Sequence, residues 1–163
     1  MKRSAVKSLT LSSMFFALGL VLPFLTAQIP QIGSMLLPMH IPIFLCGLIC
    51  GWRQGLIVGL LLPITRSMLF GMPGMYPNAI AMCFELGTYG LVTGLTYYCG
   101  KYRCLRSLYR SLVATMLAGR LVWAAAMIVL MGIQNGQFTF EAFLSGAFLN
   151  AIPGIALQLV LIP

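Results

Sequence analysis

The chain has 163 residues, 60% of them hydrophobic and 7% charged, with a mean hydropathy of +0.98. A soluble domain carries roughly 25% charged residues, so this composition excludes a soluble fold and describes an integral membrane protein. At about 20 apolar residues per crossing of a ~30 Å hydrocarbon core, the length accommodates about six spans and leaves no room for a separate soluble domain. The formal charge of +8 raises nucleic acid as a partner, but the cations cluster at the ends of apolar stretches, which argues for topology instead.

The first span is predicted from about Ser8 to Thr26. Its start, MKRSAVKSLTLSSMFF, resembles the basic region of a signal peptide, yet the apolar part runs on to Leu25 without a small-residue cleavage site, so a retained helix is expected. Leu9, Ser13 and Ala17 recur every four residues on one face, with Gly19 nearby. Small residues at that spacing permit close helix approach in lipid. Two uses of the face remain open: packing within the same bundle, or docking on a separate membrane subunit. Ala27 to Met39 then forms a long apolar connection with two prolines, either a lid over the mouth of the bundle or an interfacial link.

The following 31 or so residues, from His40 to Phe70, would measure about 46 Å as one helix, too long for a bilayer. The GWRQG stretch is therefore read as a tight turn between the second and third spans. Gly47, Gly51, Gly55 and Gly59 recur every four residues and predict close approach on both sides of it. Pro63 is expected to kink the third span just before Arg66, freeing backbone carbonyls there. The fourth span is predicted from Asn78, as cap, to Tyr98; the fifth from Ser111 to Met131; and the sixth after Thr139, containing Asn150, Pro153 and Gln158, with a few tail residues expected beyond LIP.

Lys2, Arg3 and Lys7 precede the first span, Arg53 lies between the second and third, and Lys101, Arg103, Arg106 and Arg110 lie between the fourth and fifth. The alternate connections carry no Lys or Arg. By the positive-inside rule both termini are cytoplasmic and the number of spans is even. The expectation is one all-α domain over residues 1–163, a bundle of six transmembrane helices whose basic ends meet lipid headgroups.

The stretch Pro63 to Tyr89 organises the interior. Two apolar segments meet at GMPGMYP, with Arg66 about five residues, roughly 7 Å, before the turn and Glu85 at comparable depth after it. Intramembrane charges usually face the bundle interior. Arg120 sits near the middle of the fifth span and Asn150 at a similar level in the sixth. Arg66, Glu85 and Arg120 are therefore expected to form one polar cluster in the extracellular half. Two cations against one carboxylate leave one positive charge, which an anionic ligand would complete. A purely structural network is the alternative, and Arg120 has a second one, snorkelling to the cytoplasmic face. His40 opens the second span at the outer face, where a capping role competes with ligand contact. Tyr76 and Asn78, beside the outer turn, are placed to touch an entering ligand. Tyr89, Trp123, Met68, Met72 and Met75 could line an apolar pocket or face lipid or core.

Catalytic and nucleotide motifs are missing. No GxxxxGK[ST] occurs: Gly94 and Gly100-Lys101 stand one residue too far apart, and Tyr102 fills the Ser/Thr position. With two acidic residues in the chain, a carboxylate dyad is not credible. The five cysteines (Cys46, Cys50, Cys83, Cys99, Cys104) contain no CxxC pair, so no disulfide framework, metal or cofactor is expected, and no enzyme.

The basic N-terminus, the small-xxx-small first helix, the stretch LPMHIPIFLCGLICGWRQG and the closing NAIPGIALQLVLIP resemble the substrate-binding S-components of energy-coupling factor (ECF) vitamin transporters. The resemblance implies a multi-pass protein of the bacterial cytoplasmic membrane that binds a vitamin or related micronutrient from outside. It also implies partners, a membrane coupling subunit and two ATPases, whose ATP hydrolysis drives toppling of the S-component. Ser13 and Ala17 match the family's AxxxA docking signature, with serine in the first place, and Gln28 to Met39 matches its gating loop. Pantothenate leads as a compact carboxylate; queuosine precursors, pyridoxine, folate and cobalamin remain open. The competing class is a self-sufficient small channel, secondary carrier or structural membrane subunit.

Overall fold

The computed structural model describes residues 5–26, 38–98, 104–133 and 152–162. Among these the chain is helical, with six α-helices and no strand: α1 (Ala5–Val21), α2 (His40–Cys50), α3 (Trp52–Phe70), α4 (Ile80–Thr93), α5 (Leu105–Ile133) and α6 (Ile152–Leu161). A 3-10 turn, Leu22–Thr26, prolongs α1, and π turns Met75–Ala79 and Gly94–Tyr98 prolong α4 at both ends. Among the described residues, three stretches are long and apolar enough to cross a membrane: Val6–Phe24, Met75–Tyr98 and Leu105–Gly132. This is a multi-pass membrane protein. Asn150, Thr139 and most of the Ala27 to Met39 connection lie outside the described residues.

Glycine explains how α3 and α4 pack. A Cβ at Gly55 would collide with the Gly90 carbonyl, one at Gly59 with the Leu86 carbonyl, and one at Gly94 with the Trp52 backbone. The two helices therefore run antiparallel with main chain nearly touching main chain, which only hydrogen side chains permit. Gly47 joins the same seam from α2, where a Cβ would meet the Gly90 carbonyl at 2.9 Å. The four-residue glycine repeat thus does what its spacing predicted, and Gly87, Gly90 and Gly94 supply the facing half.

The turn between α2 and α3 is tighter than the GWRQG reading. Gly51 alone breaks the helix, at φ 96°, a left-handed conformation that costs a residue with a Cβ. Arg53 consequently lies in the first turn of α3 and stacks over Trp52, 5.2 Å from the ring centroid. The fourth span also differs from its expectation. Asn78 is exposed inside the π turn Met75–Ala79, and neither that turn nor α4 has a side-chain cap. The α5 helix starts at Leu105, six positions before the expected Ser111, so Arg106 and Arg110 ride on its first turns. Leucine and arginine are good helix formers, and nothing between Leu105 and Ser111 stops the helix.

In α1, Ser8, Ser12, Phe15 and Gly19 turn inward, followed by Pro23 in the 3-10 turn, and Gly19 lets the helix close on Leu62 of α3. Val6, Leu9, Ser13, Met14, Ala17, Leu18 and Val21 face outward. The apolar core gathers Phe15, Ile43, Phe44, Leu62, Leu86 and Leu112 from α1 to α5. On the α4–α5 seam the hydroxyls of Thr93 and Thr115 bond at 3.2 Å, and those of Thr96 and Ser111 bond nearby. Such pairs hold membrane helices together where burial alone gives no preference.

Candidate functional site

Glu85 is the centre of the buried polar structure, only 1% exposed. Three side chains converge on its Oε1. Arg120 Nη1 of α5 stands 3.1 Å away as an ion pair. The Tyr89 hydroxyl donates to it at 2.9 Å. His40 Nε2 lies 3.7 Å from the same oxygen.

Local spacing builds this arrangement. Glu85 and Tyr89 are one helical turn apart, so they share a face of α4. His40 and Phe44 share a face of α2 by the same rule. Phe44 stacks on the Tyr89 ring with centroids 5.0 Å apart, and His40 sits 5.2 Å from it. Gly119 completes the fit: a Cβ there would run into the Tyr89 ring, so the residue before Arg120 is small because that ring fills its place. Thus α5 can come close enough for Arg120 to reach Glu85. Arg120 is 6% exposed and points inward, which rules out its snorkelling to the membrane surface. Its Nη2 is buried with no hydrogen-bond partner.

His40 is not at the outer face. It is the first residue of an eleven-residue helix, and it meets Glu85, which lies about 15 Å into the span that begins at Met75 at 1.5 Å per residue. The α2 helix is thus a half-span, too short to cross hydrocarbon, and its N-terminal end opens at the depth of the ion pair. No side chain caps that end, and a helix N-terminus carries partial positive charge.

Arg66 does not join the cluster. It is 4% exposed, its Nη1 donates to the Leu20 carbonyl at 2.9 Å, and its guanidinium sits 5.5 Å and 5.6 Å from the ring centroids of Phe24 and Phe70. The reason lies in α1. In the 3-10 turn that ends this helix, the i+3 partner of Leu20 is Pro23, which has no N–H. Arg66 supplies the missing donor. Equal depth on the two helices placed Arg66 near Glu85 in the sequence reading; azimuth around α3 turns it to α1 instead.

Tyr76 is exposed and donates its hydroxyl to the Leu130 carbonyl at 2.6 Å, tying the outer turn to α5. Neither Tyr76 nor Asn78 reaches the ion pair. Met68, Met72 and Met75 are exposed and face outward, and Trp123 is half-buried. Ser13 and Ala17 are both exposed on α1; the Ser13 hydroxyl is satisfied within its own helix, donating to the Leu9 carbonyl at 3.0 Å. The sequence reading missed Phe44 and Gly119, although the i, i+4 spacing from His40 and the glycine preceding an intramembrane arginine were legible signals.

No curated protein and no solved structure matches this chain. A family model described as "ECF transporter, substrate-specific component" matches residues 7–163. That match covers nearly the whole chain and is consistent with an all-helical membrane bundle. The chain belongs to the family of substrate-specific components of ECF transporters.

Proposed function

We propose that this protein is the high-affinity binding subunit of an ECF-type importer for a small anionic micronutrient, with pantothenate the first candidate. Arg120 is the residue that receives the ligand. The carrying observation is its Nη2, buried and without a hydrogen-bond partner. An unpaired charged donor in the interior is costly, and a carboxylate oxygen satisfies it with a charge-assisted hydrogen bond. Glu85 holds the guanidinium, and Tyr89 and His40 converge on that carboxylate. Tyr76 and Asn78 lie at the entrance on the outer turn, and Asn150 is the further ligand contact in this reading.

The chain acts as one six-helix domain of the bacterial cytoplasmic membrane, with both termini cytoplasmic and no catalytic step of its own. A membrane coupling subunit and two ATPases drive release by toppling. The outer face of α1 is the docking surface in this reading, supported by the outward position of Ser13 and Ala17 while Ser8, Ser12, Phe15 and Gly19 turn inward.

A thermal-shift screen of purified protein against carboxylate vitamins tests the ligand class. Arg120→Ala should weaken binding of the hit by more than tenfold, since removing one partner of a buried charge pair costs about 2–5 kcal/mol and ~1.4 kcal/mol is one decade. Unchanged affinity in Arg120→Ala, with the fold retained, would remove Arg120 from the site.

A further inference from the structure

We propose that the anionic ligand binds together with one proton, and that His40 carries that proton. The inference rests on the anionic reading above and adds a charge requirement to it. Arg120 and Glu85 already balance each other at 3.1 Å. Arg66, the other buried cation among the described residues, is engaged by the Leu20 carbonyl and two phenyl rings. A carboxylate arriving at Arg120 Nη2 therefore brings a second negative charge to a centre holding one of each sign. An uncompensated interior charge costs several kcal/mol. The N-terminal end of α2 offers about half an elementary charge, which is too little alone.

His40 is the group placed to supply the rest. It is 1% exposed, and its Nε2 lies 3.7 Å from Glu85 Oε1. Protonated, it turns the liganded centre into two cations and two anions. The titratable groups on the elements packed against α2 are few. From α4 come Glu85, Tyr89 and Cys83; from α5, Arg120 through Glu85; from α2 itself, Cys46 and, at its far end, Cys50; and from the π turn after α4, Tyr97 and Tyr98, the latter against Gly51. On α1 and α3, Lys7 and Arg53 are exposed and Arg66 is held as above, while α6 carries no titratable side chain. Among these only His40 gains positive charge within the ordinary pH range, and only Glu85 could instead lose its negative charge by protonation.

The two sites of uptake separate experimentally. Full-length protein in nanodiscs is titrated calorimetrically with pantothenate, biotin and nicotinate as acid probes and panthenol as a neutral probe, in two buffers of different ionisation enthalpy. An acid that binds should take up about one proton, and its affinity should fall by up to about tenfold per pH unit on the alkaline side. Panthenol, if it binds, should take up none. His40→Gln should abolish uptake and bind the acid weakly at every pH. Glu85→Gln should also abolish uptake but bind the acid tightly with no pH dependence, because Arg120 alone then balances the ligand. Acid binding without uptake in the wild type, a comparison that needs no variant, overturns the proton link and leaves the anionic reading standing. Uptake surviving in His40→Gln places the proton on Glu85 and overturns the assignment. Binding of panthenol alone, or of none of the four, overturns both the anionic reading and the link.

Discussion

At the scale of single residues, the interior separates two arginines that look alike in the sequence. Arg120 is paired with a carboxylate and keeps an unsatisfied Nη2; Arg66 is fully occupied in ending α1. A double-mutant cycle between Arg120 and Glu85 should therefore show coupling above ~0.5 kcal/mol, as contacting residues do. The parallel cycle between Arg66 and Glu85 should be additive within about 0.3–0.5 kcal/mol. Chemical denaturation of the four single and double combinations in detergent reads both cycles. Coupling in the Arg66 cycle and additivity in the Arg120 cycle would restore the depth-matched pairing and reject this geometry. The existence of intramembrane charge was legible from Arg66, Glu85 and Arg120 themselves. Its pairing was not, because depth along a helix is a matter of counting whereas direction around it depends on which neighbour each helix packs against.

At the scale of elements, the bundle depends on backbone proximity. Gly55 and Gly90 exclude each other's Cβ through main-chain atoms, which have no rotamer in which to move aside. Gly90→Ala should force α3 and α4 apart and destabilise the protein by about 1–3 kcal/mol, the usual cost of overpacking. Gly71→Ala is a useful contrast. No atom lies within 4 Å of a Cβ there, so its cost should come from the φ of 68° alone. A melting-temperature drop in Gly90→Ala no larger than that in Gly71→Ala would argue against the close seam. The glycine repeat from Gly47 to Gly59 announced this contact, since four-residue spacing puts small residues on one stripe. That α2 is short was legible in the same stretch; the single residue that breaks the helix was not, until Gly51 takes a positive φ and fixes the break.

At the scale of the whole molecule, one face of α1 is exposed among the described residues. Leu9 is 67% exposed, and Ser13 and Ala17 lie beside it. Ser13→Leu should reduce co-purification with a coupling subunit severalfold while leaving ligand affinity nearly unchanged, because the added bulk lies outside the bundle. Pull-down from a strain expressing the whole importer, alongside ligand titration of the isolated subunit, measures the two effects separately. Lost ligand affinity with intact co-purification would reverse the roles of the two faces. Composition alone determined that this chain lives in a bilayer, because 7% charged residues cannot cover a water-soluble surface. Spacing alone determined the helices and their glycine stripe, because 3.6-residue periodicity acts locally. Only the tertiary structure decided that His40 sits beside Glu85 rather than at the surface, that Arg66 serves α1, and that Gly119 makes room for Tyr89. Each of those depends on the rotation and offset of one helix against another, and these are set by contacts between residues far apart in the chain.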